Sequence, residues 1–247
     1  MIQFKQVKKA FGPKPVLAGV TFDVRAGEVF FIIGASGVGK SVLIKHLVGL
    51  LMPDDGQIWL DGEEISKKTE GEMHDVRKKC AMVFQHSTLF DSMTCAENVA
   101  LPLRKHKGIS QREALGRARE RLETVRMQDF ADHYPAELGD GMRKRVAIAR
   151  ALTLDPRYVL FDEPTTSLDP VSSRRVDHLI RELSDKLGVT SIVVSHDLVS
   201  TFTIADRIAM LYKGHVRLLG TPDDFKSTDD PVVKQFIEGR AQGPMDL

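Results

Sequence analysis

Two stretches near the start of the chain, residues 2–8 and 16–25, alternate apolar and polar side chains. That period predicts half-buried antiparallel strands. "VFFII" at 29–33 is apolar at every position and predicts a fully buried strand, followed by a glycine-rich turn and a helical run over 40–51. "QIWLDG" (57–62) reads as another edge strand and "CAMVF" (80–84) as a buried one. From 94 to 154 the pattern becomes mostly helical. Ser110 and Glu113 fit a capping box there, and Ala114, Leu115, Ala118, Leu122 and Val125 share one face. Strand–helix alternation then returns with the buried strands "YVLFD" (158–162) and "TSIVVS" (190–195). Between them Asp169-Pro170 opens a helix that ends near Gly188. These elements predict an α/β core with parallel strands, a β-rich start and an inserted helical subdomain over about 94–154.

Composition narrows the classes without naming one. The 247 residues, 42% hydrophobic and 28% charged, suit one or two domains with a well-buried core and argue against disorder. A net charge of +1 gives no electrostatic reason to expect a nucleic-acid partner. Cys80 and Cys95 form no CxxC pair and no metal-like cluster, so they read as buried, inert thiols in a reducing compartment. No stretch approaches the ~18–20 apolar residues that cross a bilayer. "MIQFKQVKKAF" alternates instead of forming an apolar signal core. Any membrane role is therefore expected to run through a partner.

Chemistry concentrates in three places. "GASGVGKS", Gly34 to Ser41, follows the strand "VFFII" and opens a helix, the context in which G-x-x-x-x-G-K-[ST] binds nucleotide phosphates. Backbone N–H groups around Gly34, Ser36, Gly37 and Gly39 would curl around phosphate oxygens, with the helix N-terminus adding partial positive charge. Lys40 would reach the β- and γ-phosphates, and Ser41 would ligate Mg²⁺. "YVLFDE" sets Asp162 and Glu163 at the carboxyl end of a buried strand, where open α/β sheets bind ligands. Asp162 would hold Mg²⁺ through water, and Glu163 would act as general base on the attacking water. "VVSHD" ends the next buried strand with His196, in the layer expected for the γ-phosphate.

In their order, GxxxxGKS, "FQ" (84–85), "YPAELGDGM", "LFDEP", "SLDP" and "SHD" resemble the motifs of the nucleotide-binding subunits of ABC transporters. The resemblance spans about residues 1–225 and leaves 226–247 as a tail. It implies a P-loop NTPase fold, ATP with Mg²⁺, a second copy of the chain sandwiching two ATP molecules, and a separate transmembrane permease. By that likeness Phe11 would stack on adenine, and Gln85 would link Mg²⁺ and the attacking water to the permease. Asp169 would bridge the two copies. "VFQHSTLFDSMTCAENVALPL" (83–103) and "DPVVKQFIEGRAQGP" (230–244) are similar to the Mla/Mce-type phospholipid-transport ATPases, the MlaF/Mkl branch. That branch implies a small regulatory subunit, a lipid-binding Mce-domain protein and a peripheral position on the cytoplasmic side of the inner membrane. Val232, Val233, Phe236 and Ile237 give the tail an apolar stripe, packed either on its own domain or against a second ATPase subunit.

One motif departs from the family. Its Leu-Ser-Gly-Gly signature stands here as Leu138, Gly139, Asp140 and Gly141, followed by Met142. Gly139 lacks the hydroxyl that would contact the opposite copy's γ-phosphate, while Gly141 keeps the position whose N–H approaches phosphate most closely. Asp140 is expected to cap the helix 141–154, worth ~1 kcal/mol over alanine. It would also repel phosphate by about 2 kcal/mol at ~8 Å and an effective dielectric near 20. Arg143, Lys144 and Arg145 are expected to offset much of that repulsion. One lost hydrogen bond to a charged group costs roughly 1.5–3 kcal/mol, which predicts slower hydrolysis, not abolition. Three other readings stand beside a lipid-transport ATPase: an ABC subunit for another substrate, a regulatory nucleotide binder, and a non-transport ABC ATPase acting on DNA or ribosomes.

Overall fold

A computed structural model describes residues 1–245. Strands β1 (Ile2–Phe11) and β2 (Lys14–Val24) form the antiparallel hairpin that their alternating pattern predicts, with Phe4 opposite Phe22. Then come β3 (Val29–Ile33), α1 (Lys40–Leu47), β4 (Asp55–Leu60), β5 (Glu63–Glu64), α2 (Glu70–Lys79) and β6 (Cys80–Val83). Three helices follow, α3 (Cys95–Lys107), α4 (Gln111–Thr124) and α5 (Asp140–Leu152). The chain returns to alternation with β7 (Tyr158–Asp162), α6 (Pro170–Leu187), β8 (Thr190–Val194), α7 (Leu198–Ile204), β9 (Arg207–Tyr212) and β10 (His215–Gly220). It closes with α8 (Pro222–Ser227) and α9 (Pro231–Glu238).

Two sheets result, a four-stranded one ordered β2-β1-β4-β5 and a six-stranded one ordered β10-β9-β3-β8-β7-β6. In the larger sheet β9, β3, β8, β7 and β6 run parallel, so their carboxyl ends share one edge. Burial on both faces explains the unbroken apolar run of β3. Phe30 and Ile32 join Leu43, Ile44 and the antiparallel sheet in one core. Val29, Phe31 and Ile33 face the other, with Val176 and Ile180 of α6 and the helices α3–α5. Phe22 ties the two sheets together by stacking on Phe30 at 5.2 Å between ring centroids.

Several local expectations change on folding. The run 40–51 stops at Leu47 because Gly49 takes a left-handed φ of 66°. β4 is not an edge strand, since Trp59 and Leu60 pair outward with β5. β6 is itself the edge of its sheet, with Ala81 and Met82 only partly covered. Ser110 caps α4 by accepting the Glu113 N–H, but the Glu113 carboxylate turns to Arg117 at 2.8 Å, which leaves the box half made. In the tail helix α9, Val232 and Val233 are buried, and Phe236 and Ile237 pack on the same core of this chain.

Candidate active site

Four adjacent parallel strands deliver the chemistry-bearing residues to one edge. β3 leads into the loop 34–39, and its neighbour β8 ends two residues before His196. β7 ends at Asp162 with Glu163 next, and β6 ends two residues before Gln85. The sequence alone could not show that these four segments are consecutive in the sheet. Long-range parallel pairing decides it.

Gly34 has a φ of +143°, and a Cβ there would collide with the Leu211 carbonyl oxygen, so only glycine lets the loop pass this close to β9. Gly39 precedes α1 with no side-chain cap, which leaves the first N–H groups of α1 without a side-chain acceptor. Lys40 is buried, and its Nζ donates to the carbonyls of Gly34 at 2.8 Å and Ala35 at 3.0 Å. Burial pulls its pKa below the ordinary lysine value, opposed by the carboxylates of Glu163 and Asp162. Ser41 Oγ donates to Asp162 Oδ1 at 2.5 Å across the gap between α1 and β7. Two hard oxygens side by side at a helix N-terminus, with the Lys40 ammonium on the adjoining loop, are a donor set that fits a magnesium-bound triphosphate.

Glu163 adopts a φ of 50°, unusual for a residue with a side chain, and donates its N–H to the Val194 carbonyl at 2.9 Å. That bond fixes β7's end against β8's end. The Glu163 carboxylate accepts from Thr166 Oγ1 at 3.0 Å and lies 3.5 Å from His196 Nδ1, with His196 itself largely exposed. Thr166 is a contact that the sequence did not single out. Its spacing of three residues after Glu163 was the available signal.

The loop carrying His196 is held from below. Asp197 accepts the Ser200 N–H at 3.1 Å to cap α7, and pairs with Arg174 of α6 at 2.7 Å. Burial works against its charge, yet the Ser200 amide and hydroxyl and Arg174 outweigh it and hold the carboxyl below the usual range. Arg174 also meets the buried Asp177 at 2.8 Å. Neither Arg174 nor Asp177 stood out in the sequence, because both sit within an ordinary amphipathic helix.

Gln85 is exposed at the edge and shares a cleft of about 340 Å³ with Asp140, Lys144 and Thr166. Phe11 lies at the tip of the β1–β2 hairpin, 47% exposed as a residue and open to stacking, and Lys9 Nζ is 5.8 Å from its ring centre.

Gly139, Asp140 and Gly141, with Asp169 and Ser172, line a second cleft, of about 440 Å³, that takes in no residue of the loop 34–41. Asp169 caps α6 as its sequence context predicts, accepting the N–H groups of Val171 at 2.9 Å and Ser172 at 3.0 Å. The Ser172 and Val171 bonds hold its pKa below the usual carboxylate value. Asp140, however, is not the cap of α5. Gly139 occupies the N-cap with φ −68° and ψ 161°, and Asp140 is the first helical residue, paired with Arg143 one turn on.

The expected cluster of anion-meeting cations is also absorbed within the chain. Arg145 donates to the carbonyls of Val125 and Arg126, while Lys144 is buried with its Nζ on the carbonyls of Phe84 and Gln85. Burial pulls Lys144 down to about 8 against the opposing pull of Asp140 and Asp162. Lys144 and Arg145 lie just past the first turn of α5 and reach sideways to neutral carbonyls.

A family model described as ABC transporter matches residues 17–166. The "Probable ribonucleotide transport ATP-binding protein mkl" of Mycobacterium leprae (strain TN) is 37% identical over 246 residues, covering 100% of this chain and 71% of the relative. The "Methionine import ATP-binding protein MetN" of Francisella tularensis subsp. holarctica (strain OSU18) is 40% identical over 243 residues, covering 96% of this chain and 69% of that protein. A solved dimeric post-hydrolysis state of an ATP-binding cassette, bound to ADP and Pi, aligns with a TM-score of 0.81. Its sequence identity is 33%, over 90% of this chain and 99% of that one.

Proposed function

The chain belongs to the ABC transporter family of ATP-binding subunits, and from that premise we propose that it powers phospholipid transport between membranes. It is an ATPase that takes ATP with Mg²⁺ and works as a homodimer with a transmembrane permease. In the proposed cycle Ser41 and Asp162, with Gln85, would hold Mg²⁺, and the ion would supply positive charge beside the phosphate oxygens. Lys40 exchanges its two loop carbonyls for β- and γ-phosphate oxygens, while the backbone of Gly34, Ser36, Gly37 and Gly39 cradles the rest. Phe11 stacks on the adenine. Glu163, oriented by Thr166, takes the proton of the attacking water, and His196 donates an N–H to the γ-phosphate. Gly139, Asp140, Gly141 and Asp169 face the ATP held by the second copy.

Closure on ATP and reopening after hydrolysis then move the permease through the segment at Gln85. The partners of the proposed system include a lipid-binding Mce-domain protein and a small regulatory subunit, with the chain peripheral on the cytoplasmic side of the inner membrane. Among the described residues no helix is long and apolar enough to cross a membrane, which accords with a separate permease.

The lipid assignment is carried by the likeness of residues 83–103 and 230–244 to the Mla/Mce-type branch. A second reading, an amino-acid importer, is favoured by the 40% identity to a methionine import protein. Reconstitution with a candidate permease separates the two. Several-fold stimulation of ATP turnover by a phospholipid-loaded Mce-domain partner supports the lipid reading. Stimulation by methionine with its binding protein instead sinks it.

A further inference from the structure

Among the described residues three cations of α5 bind backbone carbonyls and no carboxylate, and two of them, Lys144 and Arg150, reach the same segment. Lys144 Nζ donates to the carbonyls of Phe84 at 3.1 Å and Gln85 at 2.6 Å. Six residues on, Arg150 donates to the carbonyls of Ser87 at 3.3 Å and Thr88 at 2.9 Å, and to Thr88 Oγ1 at 3.0 Å. Burial lowers the pKa of both cations, with no neighbouring charge at Arg150 to offset it. A neutral side chain would fill either place without that desolvation, so the donors themselves explain the choice of residue. Thr88 sits at a φ of 48°, a conformation that persists only where the surroundings hold it. Beyond the clamped stretch, the buried Asn98 fixes Phe90 and Met93 through its amide.

We infer that Lys144 and Arg150 clamp the segment 84–88 to α5, so that Gln85 at its own ATP and Gly139–Gly141 at the partner's ATP move as one body. Lys144 is then a positioning residue that acts through Gln85. The inference rests on the Gln85 role proposed above. Its physical content is that four backbone carbonyls of a loop are gripped by one helix. A loop held only at its ends would let Gln85 drift while α5 stayed still. With the clamp, a shift of α5 on contact with the second copy's nucleotide is delivered directly to the residue beside the first.

A nitroxide on a cysteine introduced at the exposed His86 reports the clamp directly, because the buried Cys80 and Cys95 thiols, raised to about 12 and about 11, stay unlabelled. We expect a slow-motion spectrum in the parent and in Lys144→Arg, and several-fold faster motion in Lys144→Met and Arg150→Met. A control label at the exposed Val199 of α7 should not change. An unchanged label at 86 in Lys144→Met, or equal loosening at 86 and 199, overturns the clamp.

A double-mutant cycle in ATP turnover tests the coupling. Lys144→Met should lower kcat about tenfold with KM for MgATP within about twofold, and should add no further loss in a Gln85→Ala background. Equal losses in both backgrounds overturn it. If Gln85→Ala alone leaves turnover intact, the role proposed for Gln85 falls, and the label at 86 still decides the clamp.

Discussion

Gly139→Ser restores the hydroxyl missing from the signature, and the fold is ready to receive it. A Cβ at Gly139 would meet no atom within 4 Å, and its φ of −68° and ψ of 161° are those of an N-cap residue. The new Oγ would accept the N–H of Gly141 or Met142 while its own hydrogen points out toward the second copy's γ-phosphate. Serine over glycine at a cap, with a less flexible unfolded chain, is worth about 0.5–1 kcal/mol. For a chain this size that raises Tm by roughly 1–4 °C. A full hydrogen bond to a charged group, about 1.5–3 kcal/mol, would set a ceiling near 100-fold on turnover. The space at Gly139 is open to solvent that would supply part of that bond, so the expected gain is several-fold in kcat.

The assay is phosphate release at saturating MgATP, with Gly139→Ala as control. Alanine offers no hydroxyl and should give no gain. Equal acceleration by alanine and serine would refute the phosphate contact and leave only a stiffer helix start. No acceleration by serine would show that the hydroxyl is dispensable in this protein.

Three further outcomes follow from the same geometry. Thr166→Val removes the hydroxyl donating to Glu163 at 3.0 Å and should lower kcat several-fold with KM for ATP little changed, measured by steady-state kinetics. Both native thiols should resist a disulfide reagent at pH 8, because a pKa of about 12 at Cys80 leaves about one ten-thousandth of it ionised. The same raised values destabilise the fold in alkali. Unfolded thiols ionise near 9, so each costs about 1.4 kcal/mol per pH unit from there toward about 11, seen as a falling denaturation midpoint.

How far the sequence could be read depended on whether local rules or long-range packing decided each element. The strand β3, the loop 34–41 and the Asp169-Pro170 start of α6 follow from period, glycine spacing and cap chemistry, and each is found where those rules put it. Asp140 lies one position inside the helix it is expected to cap, because glycine at 139 can itself occupy an N-cap and leave aspartate to enter the first turn. Sequence shows the charges of Arg143, Lys144 and Arg145 and not what absorbs them, Asp140 for the first and the distant carbonyls of Phe84, Gln85, Val125 and Arg126 for the other two. Thr166, Arg174 and Asp177 were missed for a related reason. Their importance lies in what they hold in place, and a side chain's tertiary partners leave little trace in spacing.

The account turns on Glu163, set at a strand end in a left-handed conformation with Thr166 and His196 on its carboxylate. Phosphate release by Glu163→Gln, measured beside ATP binding by the same preparation, tests it most directly. A loss of at least about 100-fold in kcat with ATP affinity retained is the predicted result. Unchanged turnover with ATP still bound would contradict the account.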